Sequence, residues 1–137
     1  MAKETDKQLA DALKRVPLFS ATSLKQRLVL ANLGQVIKWA DGKEGVVAGS
    51  KGAAFYLILE GGVEVEQDGS VVARLRENDF FGEMALLTGK KRNASVTATS
   101  DARLFALSRP AFAGMIKKNP EISLSVLEAM ALRQSSM

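Results

Sequence analysis

An acidic and a basic residue, Glu83 and Arg92, lie nine positions apart in the segment FFGEMALLTGKKRNASV, residues 80–96. Residues 83–87 are good helix formers for about one turn before Gly89. A short helix that starts at a glycine presents backbone N–H groups, and such groups bind phosphate well. An arginine fork holds phosphate oxygens, and a carboxylate accepts hydrogen bonds from two sugar hydroxyls. If both side chains reach one pocket, the ligand is a sugar with a singly charged phosphate.

Simpler interpretations of these charges remain open. Glu83 and Arg92 would form an ordinary salt bridge, which contributes about 0–1 kcal/mol when exposed. Lys90 and Lys91 are typical of a solvated turn, and we do not expect them to contact a ligand. The residues alone do not decide between a salt bridge and a binding site.

Composition excludes most catalytic chemistry. The chain has no histidine and no cysteine. It therefore lacks the ordinary ligands of zinc, a His-based iron site and a Ser-His or Cys-His nucleophile pair. The net charge of +4 favours anionic partners without indicating nucleic acid. We expect a binding protein that is not an enzyme and needs no metal or cofactor.

The length of 137 residues fits one domain with a substantial core. No apolar run approaches the ~20 residues that cross a bilayer, so we expect no membrane segment. The first residues lack an apolar stretch of signal-peptide type. The lack of cysteine is compatible with the cytosol. These features predict a cytoplasmic location.

Helices are predicted at the N-terminal end of the chain. One covers residues 3 to 16 and stops at Pro17, with apolar residues on one face. A second covers residues 24–33, where Ser23 and Gln26 form a capping box and Gly34 suits the position after the helix.

The centre of the chain changes to short strands. Runs rich in β-branched and aromatic residues occur at 36–40, 45–49, 53–60, 63–67, 71–76, 94–100 and 102–108. Asp68-Gly69 favours a type I′ hairpin turn, with Val63 and Val65 facing the same side as Val71, Ala73 and Leu75. About eight short strands at this spacing predict an antiparallel β-roll or jelly roll.

Two further helices are predicted after the strands. One runs from about residue 110 to Lys118, and the next has Asn119 as its cap and Pro120 in its first position. The predicted fold class is therefore α+β, a β-roll flanked by N-terminal helices and two C-terminal helices. We predict a single domain over 1–137, with helices at 3–33, the roll at 35–108 and the last helices at 110–134.

The pattern F-G-E-M-A-L-L, a short loop and R-N-A-S-V resembles the phosphate-binding cassette of cyclic-nucleotide-binding domains. AFYLILEGGVEVEQDG resembles the central hairpin of that family, and the order of helices and strands fits from about Val16 to Arg133. The resemblance covers nearly the whole chain and is nearest to prokaryotic channel domains. We call residues 81–96 the cassette.

The resemblance implies a role for each residue of the cassette. Glu83 would bind the ribose 2′-hydroxyl and Arg92 the cyclic phosphate. Backbone N–H groups of Gly82, Glu83, Ala85 and Asn93 would complete the phosphate cradle. The ligand-binding residues implied by this family are Val65, Ala73, Leu75, Gly82, Glu83, Met84, Ala85, Arg92, Asn93, Ala94 and Arg133. Phe80 and Phe81 are expected to be core residues.

Two of these residues carry specific expectations. In channel-type members an arginine in the place of Arg133 covers the purine, and a guanidinium over an aromatic ring gains about 0.5–2 kcal/mol. Kinase-type sites for cAMP have alanine after the cassette arginine, and cGMP-selective sites commonly have threonine. Here the residue is Asn93, which leaves selectivity open, and we favour cAMP over cGMP.

The predicted function is a ligand-controlled sensor that signals by moving its last helix. Its partners would be the cyclic nucleotide and an effector domain or protein, in cis or in trans. The main alternative is a transcription regulator of catabolite-activator type, lacking or separated from its DNA-binding domain. No recognition helix follows Arg133, so we expect no direct nucleic acid binding. A cupin-like enzyme is a second alternative, and it would need metal ligands that the chain lacks.

Overall fold

Strands occupy the middle of the chain and helices its two ends. The computed structural model describes residues 4–50, 54–89 and 93–135, of which 133–135 by their backbone only. Two compact units are formed, Gln35–Arg109 and the pair of segments Met1–Gly34 and Pro110–Met137. The single domain over 1–137 stays a prediction. Helices are α1 (Asp6–Leu13), α2 (Leu24–Leu33), α3 (Glu83–Thr88), α4 (Arg109–Lys118) and α5 (Pro120–Ser135), with a 3-10 helix at Pro17–Phe19.

The strand unit consists of two four-stranded antiparallel sheets, which confirms the predicted roll. The strands are β1 (Gln35–Trp39), β2 (Glu44–Val46), β3 (Ala54–Glu60), β4 (Gly62–Gln67), β5 (Ser70–Arg76), β6 (Phe80–Phe81), β7 (Ser95–Ala98) and β8 (Ala102–Ser108). One sheet has the order β1-β8-β3-β6 and the other β2-β7-β4-β5. Strand β6 was not predicted, because two residues are too short for an alternating pattern.

Aromatic and aliphatic side chains fill the interior of the roll. Trp39, Tyr56 and Phe81 form a ring cluster with centroids 4.9–6.3 Å apart. Phe80 packs against Phe55 instead, with ring centroids 6.3 Å apart. Ring contacts thus hold Phe80 and Phe81 in the roll, as expected of core residues, and both are half-buried. The buried residues packed around Trp39 are Val46, Ile58, Val63, Val96, Ala98, Ala102 and Leu104.

The β4–β5 hairpin has the predicted turn. Asp68 and Gly69 have φ values of 53° and 80°, as a type I′ turn requires. The register shifts between Val65 and Glu66, so that Val71 lies opposite Glu66. The prediction that Val71 shares the inward face is therefore wrong, because the bulge turns it outward and leaves it 40% exposed.

Capping boxes start both N-terminal helices. Ser23 and Gln26 cap α2 as predicted, and Thr5 and Gln8 form a second box at α1. Helix α1 ends earlier than predicted, at Leu13, so that Pro17 opens the 3-10 helix rather than stopping α1. Gly34 follows α2 in an extended conformation, with φ −83° and ψ 179°, rather than as a left-handed cap.

Helix α5 is attached to the N-terminal helices within their common unit. It packs against the 3-10 helix, and the Ser125 hydroxyl donates to Oε1 of Gln26 at 3.0 Å. That oxygen also accepts the N–H of Ser23, so one amide serves the cap of α2 and the attachment of α5. Pro120 is the first residue of α5, as predicted. The Asn119 amide donates to the Met115 carbonyl at 3.2 Å and so also satisfies the end of α4.

Candidate functional site

The cassette begins where β6 ends and the chain turns sharply into α3. Gly82 makes this turn with φ 81° and ψ 10°, in the left-handed region that glycine adopts without steric cost. Strand β6 is paired with Tyr56 and Leu57 of β3, which fixes the start of the turn on the sheet. The predicted short helix after a glycine is therefore present, and it runs for six residues.

Glu83 is the first residue of α3, where the helix dipole favours a negative charge. Its Oε2 atom is shielded from solvent, although the residue as a whole is only half-buried. Shielding a carboxylate oxygen from water is costly unless polar partners compensate it. A carboxylate at the start of a helix can also accept hydrogen bonds from the hydroxyls of a polar ligand.

The side chains that follow Glu83 in α3 differ in their exposure to solvent. Leu86 is 2% exposed and anchors the helix, whereas Met84 is 48% exposed. The N–H of Ala85 donates to the Gly82 carbonyl at 3.1 Å within the first turn. To bind a phosphate, the N–H of Ala85 would have to donate to both the Gly82 carbonyl and the ligand, or to the ligand instead of the carbonyl. The ligand roles of Met84 and Ala85 stay predictions.

Three predicted base-lining residues lie on the hairpin that adjoins the return strand of the cassette. Val65 of β4 is opposite Ala73 of β5 on one side and Val96 of β7 on the other. Val65 and Leu75 pack against the core cluster of the roll, and both remain partly buried. Strand β7 starts directly after Ala94, so the structure brings the end of the cassette and these hairpin residues to one sheet.

The side chains of two predicted contacts lie outside the described part of the chain. Arg92 lies outside the described residues, together with Lys90 and Lys91, and the described part of Arg133 is its helical backbone in α5. Asn93 is exposed at the end of the cassette loop, and Ala94 beside it is half-buried. The ligand-binding roles assigned to four residues stay predictions: Arg92, Asn93, Ala94 and Arg133.

One arginine near the cassette was missed by the sequence reasoning. Arg109 donates from Nη2 to the Leu87 carbonyl at 3.5 Å, at the C-terminal end of α3. A Cβ at Gly89 would lie 3.0 Å from its Nε. No sequence signal places a residue 20 or more positions downstream at the cassette, because the contact depends on how β8 ends.

The described ranges contain neither an acidic metal cluster nor a helix that could span a membrane. Within residues 4–50, 54–89 and 93–135, no group of three or more acidic side chains could hold a metal ion. None of the described helices has the length and apolar character that a membrane span requires.

Comparison with known proteins identifies the family. The model of the cyclic nucleotide-binding domain matches residues 37–119, more than half of the chain. The chain therefore belongs to the cyclic nucleotide-binding domain family. It is also 38% identical over 103 residues to a cAMP-dependent protein kinase regulatory subunit from Aspergillus fumigatus, covering 73% of this chain. It spans about a quarter (25%) of the length of that relative.

Solved structures share the fold over nearly the whole chain. The N-terminal domain of a transcriptional regulator from Streptomyces coelicolor A3(2) superposes with a TM-score of 0.84 at 27% identity, covering 92% of this chain and 94% of that domain. PKAR CBD2 with bound Sp-2Cl-cAMPS superposes with a TM-score of 0.68 at 26% identity, covering 92% and 91%. The fold is thus that of regulatory cyclic nucleotide-binding modules. The nearer resemblance to channel domains stays a prediction.

Proposed function

We propose that this chain binds cAMP in the cassette and signals by repositioning α5. The observation that carries the proposal is the start of α3, where a left-handed Gly82 is followed by Glu83 with a shielded carboxylate oxygen, in a chain of this family. The similarity to a cAMP-dependent kinase regulatory subunit supports the choice of ligand.

Two side chains would divide the polar recognition of the ligand. Glu83 would accept a hydrogen bond from the ribose 2′-hydroxyl, and Arg92 would donate to the cyclic phosphate. Backbone N–H groups of Gly82, Glu83, Ala85 and Asn93 would surround the phosphate. All of these groups would contact the ligand through hydrogen bonds, so binding would be reversible. The proposed function involves no catalysis and no cofactor. We keep the cytoplasmic location as part of the proposal.

The purine would lie against the apolar hairpin. Val65, Ala73 and Leu75 are partly buried and would line the base, with Met84 and Ala94 from the cassette. Met84 is 48% exposed. Covering part of this side chain with a purine would be favourable at about 25 cal/mol per Å² of apolar surface.

The output of binding would be a new position of α5. The base would be covered by Arg133, and α5 would leave its contacts with Gln26 and the 3-10 helix to bring this residue over the purine. A ligand shifts such an equilibrium only by its differential affinity for the two positions. The roll would stay rigid because its strands are hydrogen-bonded to their neighbours within two four-stranded sheets.

A second function is supported by one specific observation. The structural neighbour with a TM-score of 0.84 is the N-terminal domain of a transcriptional regulator. In this alternative the chain is the sensor part of such a regulator, and its effector is a DNA-binding domain in cis. A salt-sensitive gel shift with the purified chain would show direct DNA binding, which neither this alternative nor the first proposal expects of these 137 residues.

Calorimetric titration with cAMP, cGMP and 5′-AMP tests the proposed ligand. We expect saturable one-to-one binding of cAMP, weaker binding of cGMP and far weaker binding of 5′-AMP, whose dianionic and open phosphate fits a cradle for one negative charge poorly. Equal affinity for cAMP and cGMP would contradict the proposed selectivity. Absence of binding to either cyclic nucleotide would contradict the function.

A further inference from the structure

Met84 places a sulfur atom on the exposed side of the cassette. It is the second residue of α3, directly after Glu83, and it is 48% exposed. Of the other methionines in the described part of the chain, Met115 in α4 is 3% exposed and Met130 in α5 is half-buried. Methionine ordinarily fills gaps in a hydrophobic core. Among the methionines that the structure describes, Met84 is therefore the most accessible to a reagent in solvent.

Local packing explains why this side chain is exposed. Leu86, two residues further along α3, is 2% exposed and anchors the helix. Residues two positions apart on a helix do not face the same side, so Met84 is directed away from the side that Leu86 buries. A chemical change at Met84 is therefore compatible with an intact α3.

Oxygen transfer is the chemistry open to an accessible thioether. The chain has no cysteine, so methionines are its only sulfur-containing residues. A hydroperoxide, such as hydrogen peroxide, transfers its terminal oxygen to the sulfur atom. The O–O bond breaks and an S–O bond forms, the sulfur loses two electrons, and water or an alcohol is released. The product is methionine sulfoxide, which is polar and chiral and which methionine sulfoxide reductases convert back to methionine.

The sulfoxide would change how the side chain meets the purine. In the proposed site Met84 lies against the base with an apolar and adaptable side chain. The sulfoxide oxygen is a hydrogen-bond acceptor that water solvates while the side chain is exposed. A purine face that covers it offers no donor, and burying a polar group without a hydrogen bond is unfavourable. Oxidation thus disfavours the nucleotide-bound arrangement.

We propose that Met84 is an oxidation site, at which a hydroperoxide reversibly lowers the affinity of the cassette for its cyclic nucleotide. The inference rests on the proposed function, and it adds a chemical signal that acts on the same site. The contacts proposed for Glu83 and Arg92 do not involve the sulfur atom, so oxidation weakens binding instead of abolishing it.

The experiment treats the chain with hydrogen peroxide in stages. Peptide mass spectrometry measures the sulfoxide fraction at each methionine, and calorimetry measures the cAMP affinity of the same samples before and after treatment with methionine sulfoxide reductases. Met84→Leu removes the sulfur and keeps an apolar side chain of similar volume. Met115→Leu is the matched control, because it makes the same exchange at a buried methionine. Each protein is compared with its own untreated sample, which separates oxidation from the effect of the substitution.

We expect Met84 to be oxidised before Met115, and more slowly when cAMP is bound at saturation. Oxidation should lower the affinity of the wild-type chain and of Met115→Leu by at least about fivefold, the lower end of the effect of burying an unpaired polar group. The reductases should restore the affinity. Under the same treatment the affinity of Met84→Leu should change by less than about twofold, because no sulfur remains at the site.

Unchanged affinity of the wild-type chain with Met84 oxidised would overturn the inference, and so would an equal loss of affinity in Met84→Leu. If Met84→Leu does not bind cAMP, staged oxidation of the wild-type chain decides. The loss of affinity must then follow the sulfoxide fraction at Met84, and a loss that follows another methionine would overturn the inference. An untreated wild-type chain that does not bind cAMP would overturn the proposed function and the inference with it, whereas cAMP binding that is unaffected by oxidation of Met84 would overturn the inference alone.

Discussion

At the scale of single residues, Glu83 and Arg92 would bind two different parts of one ligand, the ribose and the cyclic phosphate. A guanidinium recognises the charge and the planar arrangement of phosphate oxygens, whereas a carboxylate recognises hydroxyl donors. Since a carboxylate accepts hydrogen bonds from hydroxyls, a ligand without the 2′-hydroxyl would lose its hydrogen bond to Glu83. This would make the ribose a source of specificity rather than only of affinity.

Arg92→Ala should weaken cAMP binding about tenfold to a hundredfold. The substitution removes at least one charge-assisted hydrogen bond, which contributes about 1.5–3 kcal/mol. Isothermal titration calorimetry measures the change. Lys90→Ala is the matched control, and it should change the affinity by less than about twofold, since we do not expect Lys90 to contact the ligand. Unchanged affinity in Arg92→Ala would remove Arg92 from the site.

Glu83→Gln should weaken binding of cAMP but hardly change binding of 2′-deoxy-cAMP. The amide keeps the shape of the side chain and loses the charged acceptor, whose hydrogen bond contributes about 1.5–3 kcal/mol. Competition binding with both nucleotides on both proteins gives the coupling between Glu83 and the hydroxyl. An equal loss for the two nucleotides would mean that Glu83 does not contact the 2′-hydroxyl.

At the scale of elements, local signals predicted what local interactions determine. The capping box of α2 and the Asp68-Gly69 turn depend on residues within three or four positions, and both were predicted. The bulge that turns Val71 outward depends on cross-strand register, and β6 depends on its pairing with β3. The candidate site likewise has a local part and a non-local part. Gly82 and Glu83 could be recognised from the sequence pattern, whereas the contact of Arg109 with Leu87 forms only in the folded roll.

Ser23→Ala should destabilise the protein by about 1 kcal/mol, because the Ser23 hydroxyl accepts the Gln26 N–H at the start of α2. Urea denaturation followed by circular dichroism measures the free energy of unfolding. Ser23→Asp is the control, since aspartate is an equally good cap and should restore most of the loss. Equal destabilisation by both substitutions would show that the cap is not the cause.

At the scale of the whole molecule, the free energy of contacting the ligand is distinct from the free energy of moving α5. The structure attaches α5 to the N-terminal helices through Ser125 and Gln26 and through packing on the 3-10 helix. Under the proposed mechanism these contacts oppose the movement of α5, and the apparent affinity includes the cost of breaking them.

Ser125→Ala should therefore tighten cAMP binding by about twofold to tenfold. It removes the hydrogen bond to Gln26 at 3.0 Å, which contributes about 0.5–1.5 kcal/mol to the attachment of α5 to the N-terminal helices. Calorimetry on Ser125→Ala and on Ser123→Ala, a control on the same helix, measures the effect. Unchanged or weaker binding in Ser125→Ala alone would contradict release of α5.

Removal of residues 133–137 should accelerate dissociation of cAMP by about twofold to thirtyfold, because a guanidinium over the purine contributes about 0.5–2 kcal/mol. Stopped-flow displacement of a fluorescent cAMP analogue measures the rate. A chain that lacks only residues 134–137 keeps Arg133 and should dissociate at the wild-type rate. Equal rates in the two shortened chains would exclude Arg133 as the cover of the base.

A crystal structure of the chain with cAMP tests the central claim most directly. The account predicts the cyclic phosphate about 3 Å from a guanidinium nitrogen of Arg92 and the ribose 2′-hydroxyl about 3 Å from the Glu83 carboxylate. A nucleotide bound elsewhere, or no nucleotide at saturating concentration, would contradict it.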